Sequence, residues 1–554
     1  METKLADALQ PVYDVCVIGS GPAGIILALE YSCLNPGKKI LLVEYGGKEP
    51  AGKNTLDSSI QLKNPLYHHK PEECTNKGLG GTSATWGGRC VMWDEVDFMD
   101  RTETNGASPW NMNLFKEINQ YVQRASKYFE CGEAKFNLHD LPQLNGHRIA
   151  ENFIEGIVTD SAVERWSIPT RFGPRYERDI VKRPNLTLLQ GFEGRDFSSP
   201  DACGKCKILC IREVKSQKLY EVRAEAFVIA TGAHEATRIL LRNTRLFKNL
   251  NTVPSALGKY YQGHLSGKIA SVRFSGDPKK TDYGFIRNNA GVYLRRRFQF
   301  SNDFLLKQGL LNTAIWLDNP LYHDPKHRNG AMSFMYLAML IPVLGKKLAP
   351  PAIAHSITKG QKHAVNEHIW NVLRGMPGSL LTPASIFYRR YIQKRKLPGI
   401  FLFNPQNYYA LHFHAEQSAS PLNKMELAVD GETLVIDYKP SEADVNSVIK
   451  LHDVLNKWLQ QCGCGALEYW YTPDELPEVI RSTSRGGIHQ SGTTRMGCSS
   501  NTGVVDGNLK VWGTDNIYVC SSSVFPVSGQ ANPTFLLGAF AIRLANRLSM
   551  SIKN

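Results

Sequence analysis

What this chain lacks narrows it first. No uninterrupted apolar run approaches the ~20 residues that a helix needs to cross a bilayer. The nearest, Ala331 to Gly345, is shorter and contains Pro342. A strand-like run begins at Tyr13 with no basic-then-apolar segment ahead of it, so no cleaved secretory leader is expected. The twelve cysteines follow no framework spacing. Cys203-Gly-Lys-Cys206, with Cys210 beyond, is the tight group, and a zinc site would need a second pair. Cys462-Gly-Cys464 does not have that spacing. The economical expectation is a reduced, cytoplasmic protein without a metal, with zinc or redox chemistry at Cys203 and Cys206 as the alternative.

Acidic residues are also in deficit. Lys and Arg number 65 against 51 Asp and Glu, a net charge of +14. Such an excess favours nucleic acid, anionic membrane or an acidic partner. Nothing in the chain resembles a nucleic-acid-binding motif, so no nucleic acid is expected. The densest basic cluster is Arg389, Arg390, Lys394, Arg395 and Lys396, with Ile386, Phe387 and Tyr391 interleaved. It falls on an expected helix from Thr382-Pro383 to just before Pro398. Such a helix either makes peripheral contact with a membrane or is a solvated face. With 554 residues, 42 % hydrophobic and 21 % charged, the chain has the composition of a globular protein with two intimately joined domains.

What is present is concentrated at residues 13 to 44. Tyr13 to Ile18 reads as a buried parallel strand, and Gly19-Ser20-Gly21-Pro22-Ala23-Gly24 as a GxGxxG turn. A helix follows to Leu34, Asn35-Pro36-Gly37 ends it, and a second strand runs from Ile40 to Val43 and stops at Glu44. In such a unit Gly19 makes the tight turn, Gly21 lets backbone approach a pyrophosphate, and Gly24 lets helix pack on strand. Free N–H groups at the helix start hold phosphate. Glu44 lies about 20 residues past the last glycine, where an acid binds a ribose hydroxyl pair. The unit predicts dinucleotide binding without saying which dinucleotide.

Two further stretches face the same way. Gly78 to Gly88 holds five glycines in eleven residues, among them Gly80, Gly81 and Gly87, with Thr82, Thr85 and Trp86 between them. Backbone so bare suits cofactor contact, and the central Trp86 argues against a plain linker. Ala226 to Ala233 reads as a third apolar strand ending in a glycine turn at Ala230-Thr231-Gly232, with a helix after it. It is expected to return to the first sheet.

The remaining chemistry lies late in the chain. In a strand His412, His414 and Glu416 share one face, which could line a substrate pocket, hold a metal, or be an ordinary polar face. Gly486 to Gly497 carries His489 in a glycine- and hydroxyl-rich turn. Asn516 to Cys520 is a strand, and Asn532-Pro533-Thr534 opens an apolar helix to about Leu548, with Asn532 suited to an N-cap.

In their order these motifs resemble the glucose–methanol–choline family of FAD-dependent oxidoreductases. They are the GxGxxG at Gly19, the Gly80 to Gly88 loop, Ala230-Thr231-Gly232-Ala233, His489-x-x-Gly492-Thr493 and Asn532-Pro533-Thr534. Thr494 to Gly497 and Ser522 to Pro526 are most similar to its pyranose-oxidase and sugar-dehydrogenase branch. The resemblance implies an α/β fold: a Rossmann-like FAD-binding domain with a second, substrate domain built on an antiparallel sheet flanked by helices. The expected boundaries are 1–95, 185–255 and 475–554 for the first and 96–184 and 256–474 for the second. It implies His489 as catalytic base with Asn532 as its partner. Cofactor contacts would come from the glycines above, Glu44, Thr82, Thr85, Trp86, Ala230, Thr231, Ser521, Asn532, Pro533 and Thr534. His412, His414 and Glu416 would bind substrate. The position that carries a flavin-linking histidine in the pyranose-oxidase pattern matches Thr85, so the FAD is expected to be non-covalent.

The leading expectation is oxidation of a CH–OH group of a sugar, polyol or glycosylated small molecule, by an oxidase or a dehydrogenase. Its electron acceptor would be oxygen, a quinone or a redox protein. An NADPH-dependent flavoenzyme would need a second nucleotide-binding glycine turn after a strand, and none is found. A flavin-binding, membrane-surface or partner-associated protein without turnover is the alternative from another class.

Overall fold

The computed structural model describes residues 5, 8–47, 59–101, 109–141, 144, 148–341 and 364–551. Its largest sheet has seven strands. They are β1 (Val12–Ile18), β2 (Ile40–Glu44), β3 (Leu186–Gln190), β4 (Phe192–Phe197), β5 (Ile208–Glu213), β6 (Leu219–Ile229) and β12 (Ile517–Val519). The order is β3-β2-β1-β6-β5-β4, with β12 also on β6. β3, β2, β1, β6 and β12 are mutually parallel, while β4, β5 and β6 form an antiparallel meander. The sequence of β6 records both roles. Its first half alternates exposed and buried residues along the meander, and Phe227-Val228-Ile229, set between β1 and β12, is continuously buried.

The second layer of organisation is an antiparallel sheet of β7 (His264–Phe274), β9 (Thr313–Asp318), β10 (Tyr408–Glu416) and β11 (Gly465–Tyr469), in the order β9-β10-β7-β11. One face is closed by α8 (Glu442–Gln461), whose Val445, Val448, Leu455 and Leu459 recur at helical spacing and are buried in the second core. Ser441 and Asp444 start that helix with a capping box. A neighbouring short sheet joins β8 (Tyr293–Arg296) to Val163–Trp166 and, beyond it, Arg89–Cys90.

Two features differ from expectation. The helices α2 (Met112–Tyr128) and α3 (Phe172–Val181) fall in 96–184, but they belong with the first core. Their apolar faces, Leu114-Ile118-Val122 and Phe172-Tyr176-Ile180, pack into the cluster that holds β1. α2 is further tied by Arg124 Nε and Tyr128 Oη donating to buried Glu30 of α1 (Pro22–Leu34). The basic helix also begins earlier than Thr382. α7 (Gly378–Phe387) carries Pro383 inside it, where the ring removes one backbone N–H from the helix. A π-turn over Tyr388–Ile392 follows, and Lys394 to Lys396 lie beyond it. The apolar run at Ala331 forms α5 (Gly330–Leu340), and its remainder, Pro342 to Gly345, lies outside the described residues. No described helix is long and apolar enough to cross a membrane.

Candidate active site

The three glycines of the first turn do different work. A Cβ on Gly24 would sit 2.0 Å from the Gly19 carbonyl oxygen, and one on Gly19 would sit 2.7 Å from the Ala230 oxygen. These two residues therefore let helix, turn and the end of β6 close on one another. Gly21 instead faces open space, and no side chain caps the N-terminus of α1. Gly81 closes over it, its Cβ direction 3.1 Å from Gly21 Cα. Gly232 likewise faces open space, and the Thr231 hydroxyl beside it is buried without a hydrogen-bond partner. A helix start with no cap, bare backbone around it and an unpartnered buried hydroxyl form a fit for a dinucleotide's phosphates. Glu44 is buried at the end of β2, where Ser20 N and Oγ donate to its Oε2 at 3.0 and 2.6 Å and Gly46 N to its Oε1 at 2.9 Å. In the glycine loop Trp86 is half-buried, and its indole N–H donates to the Thr170 carbonyl. Thr82 and Thr85 are exposed, and Asn76 Nδ2 donates to Thr85 Oγ1.

A cavity of about 210 Å³ opens beside the antiparallel sheet, lined by His264, His412, His414, His489, Trp316 and Arg89, with Ser266 and Arg485 to Ile488 completing the wall. Strand register builds one side. Trp316 of β9 is directly opposite His412 of β10, and the two rings stack at 4.5 Å. His264 of β7 stands diagonally from His414, and those rings stack at 4.1 Å. The other side is the loop after Arg485. Gly486 and Gly487 let it press on the Tyr438 ring and His68, and it presents His489 edge-on to His264 at 4.9 Å. The nitrogens of His264, His414 and His489 lie within 4.8 Å of one another.

Hydrogen bonds set the imidazoles. His414 Nδ1 lies 2.6 Å from the Gln530 carbonyl oxygen, so it donates there and leaves Nε2 as an acceptor. His412 Nε2 lies 2.9 Å from Ser266 Oγ, and its Nδ1 faces Asp318, which Lys268 neutralises. Burial, and then the Arg89 guanidinium, push the His489 imidazole down to about 3, and burial pushes His264 and His414 well below the ordinary histidine range. All three are therefore neutral near neutral pH. The Arg89 charge that depresses them is held by Glu164, 2.6 Å away, and lies over the Trp316 ring.

Asn532 precedes α9 (Pro533–Ser551), and its Oδ1 is buried with no hydrogen-bond partner. It does not cap the helix through that oxygen. Ser521, at the end of β12, accepts from Ser523 N, while Thr534 is half-buried in the first turn of α9.

Glu416 does not line the cavity. It follows His412 and His414 on the same strand face, but it is fully buried beyond the cavity, bound at both oxygens by Arg101 at 2.8 and 2.7 Å. Asn312 N donates to it as well. Strand alternation fixed the face, and the partner from a distant loop decided what the carboxylate meets. Sequence reasoning missed His264, Trp316 and Arg89. Arg89 directly follows the glycine loop, a signal that was available; His264 and Trp316 join the site only through sheet register.

The same architecture and part of the sequence recur in known proteins. Residues 430–541 match the family model described as GMC oxidoreductase. Over that C-terminal segment the chain is similar to the GMC oxidoreductases. Among particular relatives, paromamine 6'-oxidase of Streptomyces fradiae is 27 % identical over 67 % of this chain, a match that spans about half of that relative, 53 %. 6'''-Hydroxyparomomycin C oxidase of Streptomyces lividus is 26 % identical over 98 % of this chain and 93 % of its own. Among solved structures, pyridoxine 4-oxidase from Mesorbium loti superposes with a TM-score of 0.55 at 15 % identity, over 97 % of this chain and 99 % of that one.

Proposed function

We propose that the chain oxidises a CH–OH group of a neutral or anionic polyol, sugar or glycosylated small molecule to a carbonyl, with His489 as base. The observation that carries this reading is the neutral, half-buried His489 on a cavity walled by imidazoles, an indole and a serine hydroxyl, with the unpartnered oxygen of Asn532 at the head of α9. FAD, held at Gly21, Gly81, Thr231 and Gly232, supplies the hydride acceptor when bound. The side chains do the rest. His489 takes the hydroxyl proton as the carbinol hydride departs, so that the alcohol loses one proton and one hydride and becomes a carbonyl. His412, through Ser266, and His414, through the Gln530 carbonyl, are oriented to hold further substrate hydroxyls. The residues lining the cavity include Arg89 and Arg485 and no carboxylate. That electrostatic balance disfavours an ammonium-bearing substrate.

The oxidase names of the relatives favour oxygen as electron acceptor. The hydroxyl of Thr85 is not a flavin-linking group, which supports non-covalent FAD. The spacing of the cysteines forms no disulfide framework, which supports a reducing, cytoplasmic location. Anaerobic flavin bleaching against neutral, anionic and ammonium-bearing polyols, followed by air, tests the whole reading. His489→Ala is expected to keep its yellow colour and to lose flavin reduction about 10²- to 10⁴-fold. A colourless wild-type protein, or undiminished bleaching by the variant, overturns it.

A further inference from the structure

A pair of helices stands inside out. α6 (Val365–Arg374) and α7 (Gly378–Phe387) meet at the start of α5 so closely that a Cβ on Gly330 would lie 2.0 Å from Ser379 Oγ and 2.7 Å from the Asn371 oxygen. The side chains turned inward are polar. His368 Nδ1 lies 2.9 Å from Ser333 Oγ, Asn371 Nδ2 donates to the Pro325 carbonyl at 2.9 Å, and Ser379 Oγ donates to the Val372 carbonyl at 2.8 Å. The side chains turned outward are apolar: Trp370, Leu373, Leu381, Phe387, Tyr391 and Ile392 are all more than half exposed. Ten of the twenty-five large apolar side chains exposed among the described residues fall between Val365 and Ile392. A helix packed for water has the opposite arrangement, and an exposed apolar surface of this density marks an interaction site.

Charge identifies the occupant. The described residues 364–415 hold six Lys and Arg against one acid, Glu367. Arg374, Lys394 and Lys396 are exposed at the margins of the apolar surface, whereas Arg390 and Arg395 are spent on backbone carbonyls. A second copy of this face would bring like charges together. An anionic lipid surface matches both properties: aromatic and aliphatic groups enter the headgroup boundary, and the cations meet the phosphates.

We propose that α6, α7 and the turn after them dock the protein reversibly, in the plane of the surface, on an anionic membrane. The surface is continuous with the substrate side of the molecule. Arg295 lies 4.2 Å above the ring of Trp316, in the cavity wall, and 5.6 Å from the ring of Phe401, on the segment that leaves the docking face. Docking therefore acts next to the cavity and leaves the FAD turn at Gly21 untouched.

Flotation of the FAD-loaded protein with vesicles of phosphatidylcholine, alone or mixed with phosphatidylglycerol, tests this. Binding is expected to the mixed vesicles, to fall steeply with added salt, and to be weak on neutral vesicles. Trp370→Ser with Phe387→Ser, and separately Lys394→Glu with Lys396→Glu, should each lower vesicle affinity at least tenfold while flavin content and thermal midpoint stay unchanged. Absence of vesicle binding, equal binding to both lipids, or unaltered binding by both double variants overturns the proposal. So does a wild-type dimer that Trp370→Ser dissociates, since the face would then belong to a second copy.

Discussion

Asn532 has two roles open to it on chemical grounds, capping α9 or meeting a ligand, and one side-chain oxygen cannot serve both well. Its Oδ1 is buried without a protein partner, so the capping role is not the one it fills. Loss of a working cap costs ~1 kcal/mol. Asn532→Ala is therefore expected to leave the apoprotein's thermal midpoint nearly unchanged and to slow flavin reduction about ten- to a hundredfold. A lowered midpoint with an unchanged rate would return the residue to capping. Glu416 gives the opposite pattern. Glu416→Gln breaks a buried bidentate ion pair and leaves Arg101 with Asp97 at 3.9 Å, so it should cost about 3 kcal/mol in stability and leave KM for the substrate unmoved. Denaturant unfolding and steady-state kinetics separate the two effects. At this scale the sequence was legible where a residue type sits in a motif, as His489 does. It was not legible where the decisive partner arrives from elsewhere: Arg101 for Glu416, and the stacked His414 for His264.

At the scale of elements, turns and buried strands were the most readable parts. β1, β2 and the end of β6 are buried, mostly apolar runs because parallel strands bury both faces, and β1 and β6 end in their expected glycine turns. The glycines of the first turn allow a sharper division than the motif does. Gly24→Ala would drive a methyl group to 2.0 Å from the Gly19 oxygen and should prevent folding. Gly21 has φ −67°, a conformation any residue adopts, and open space beside it. Gly21→Ala should therefore fold with wild-type apoprotein stability and lose FAD affinity at least tenfold, measured by flavin fluorescence on titration. Equal loss of folding by both variants would make Gly21 a packing glycine. Amphipathic helices were readable as helices and not as neighbours. α2 and α3 announce an apolar stripe, but nothing local says which sheet that stripe covers, and both stripes pack in the core that holds β1 although they fall within the expected 96–184 segment.

Across the whole molecule, buried neutral imidazoles couple stability to pH. Burial, first among the causes in each case, holds His68, His327 and His452 down at about 4 and His489 at about 3, against an ordinary value of 6.5. Between those values the unfolded chain binds protons that the folded chain refuses. The stability these groups contribute is complete above about pH 6.5 and is lost as pH falls toward 4 and then 3. Asp97, Asp160 and Asp444, which burial holds above the ordinary aspartate range, act in the opposite sense at the acid end. The histidines outnumber them. The thermal midpoint should fall by more than about 5 °C between pH 7 and pH 5. Catalysis should not follow it. His489 stays neutral through that interval, so kcat/KM measured well below the midpoint should show no inflection near 6.5. A midpoint that is flat to pH 5 would mean the imidazoles are solvated in the folded protein. A kcat/KM that titrates near 6.5 while the midpoint falls would move the base from His489 to a histidine outside the buried set.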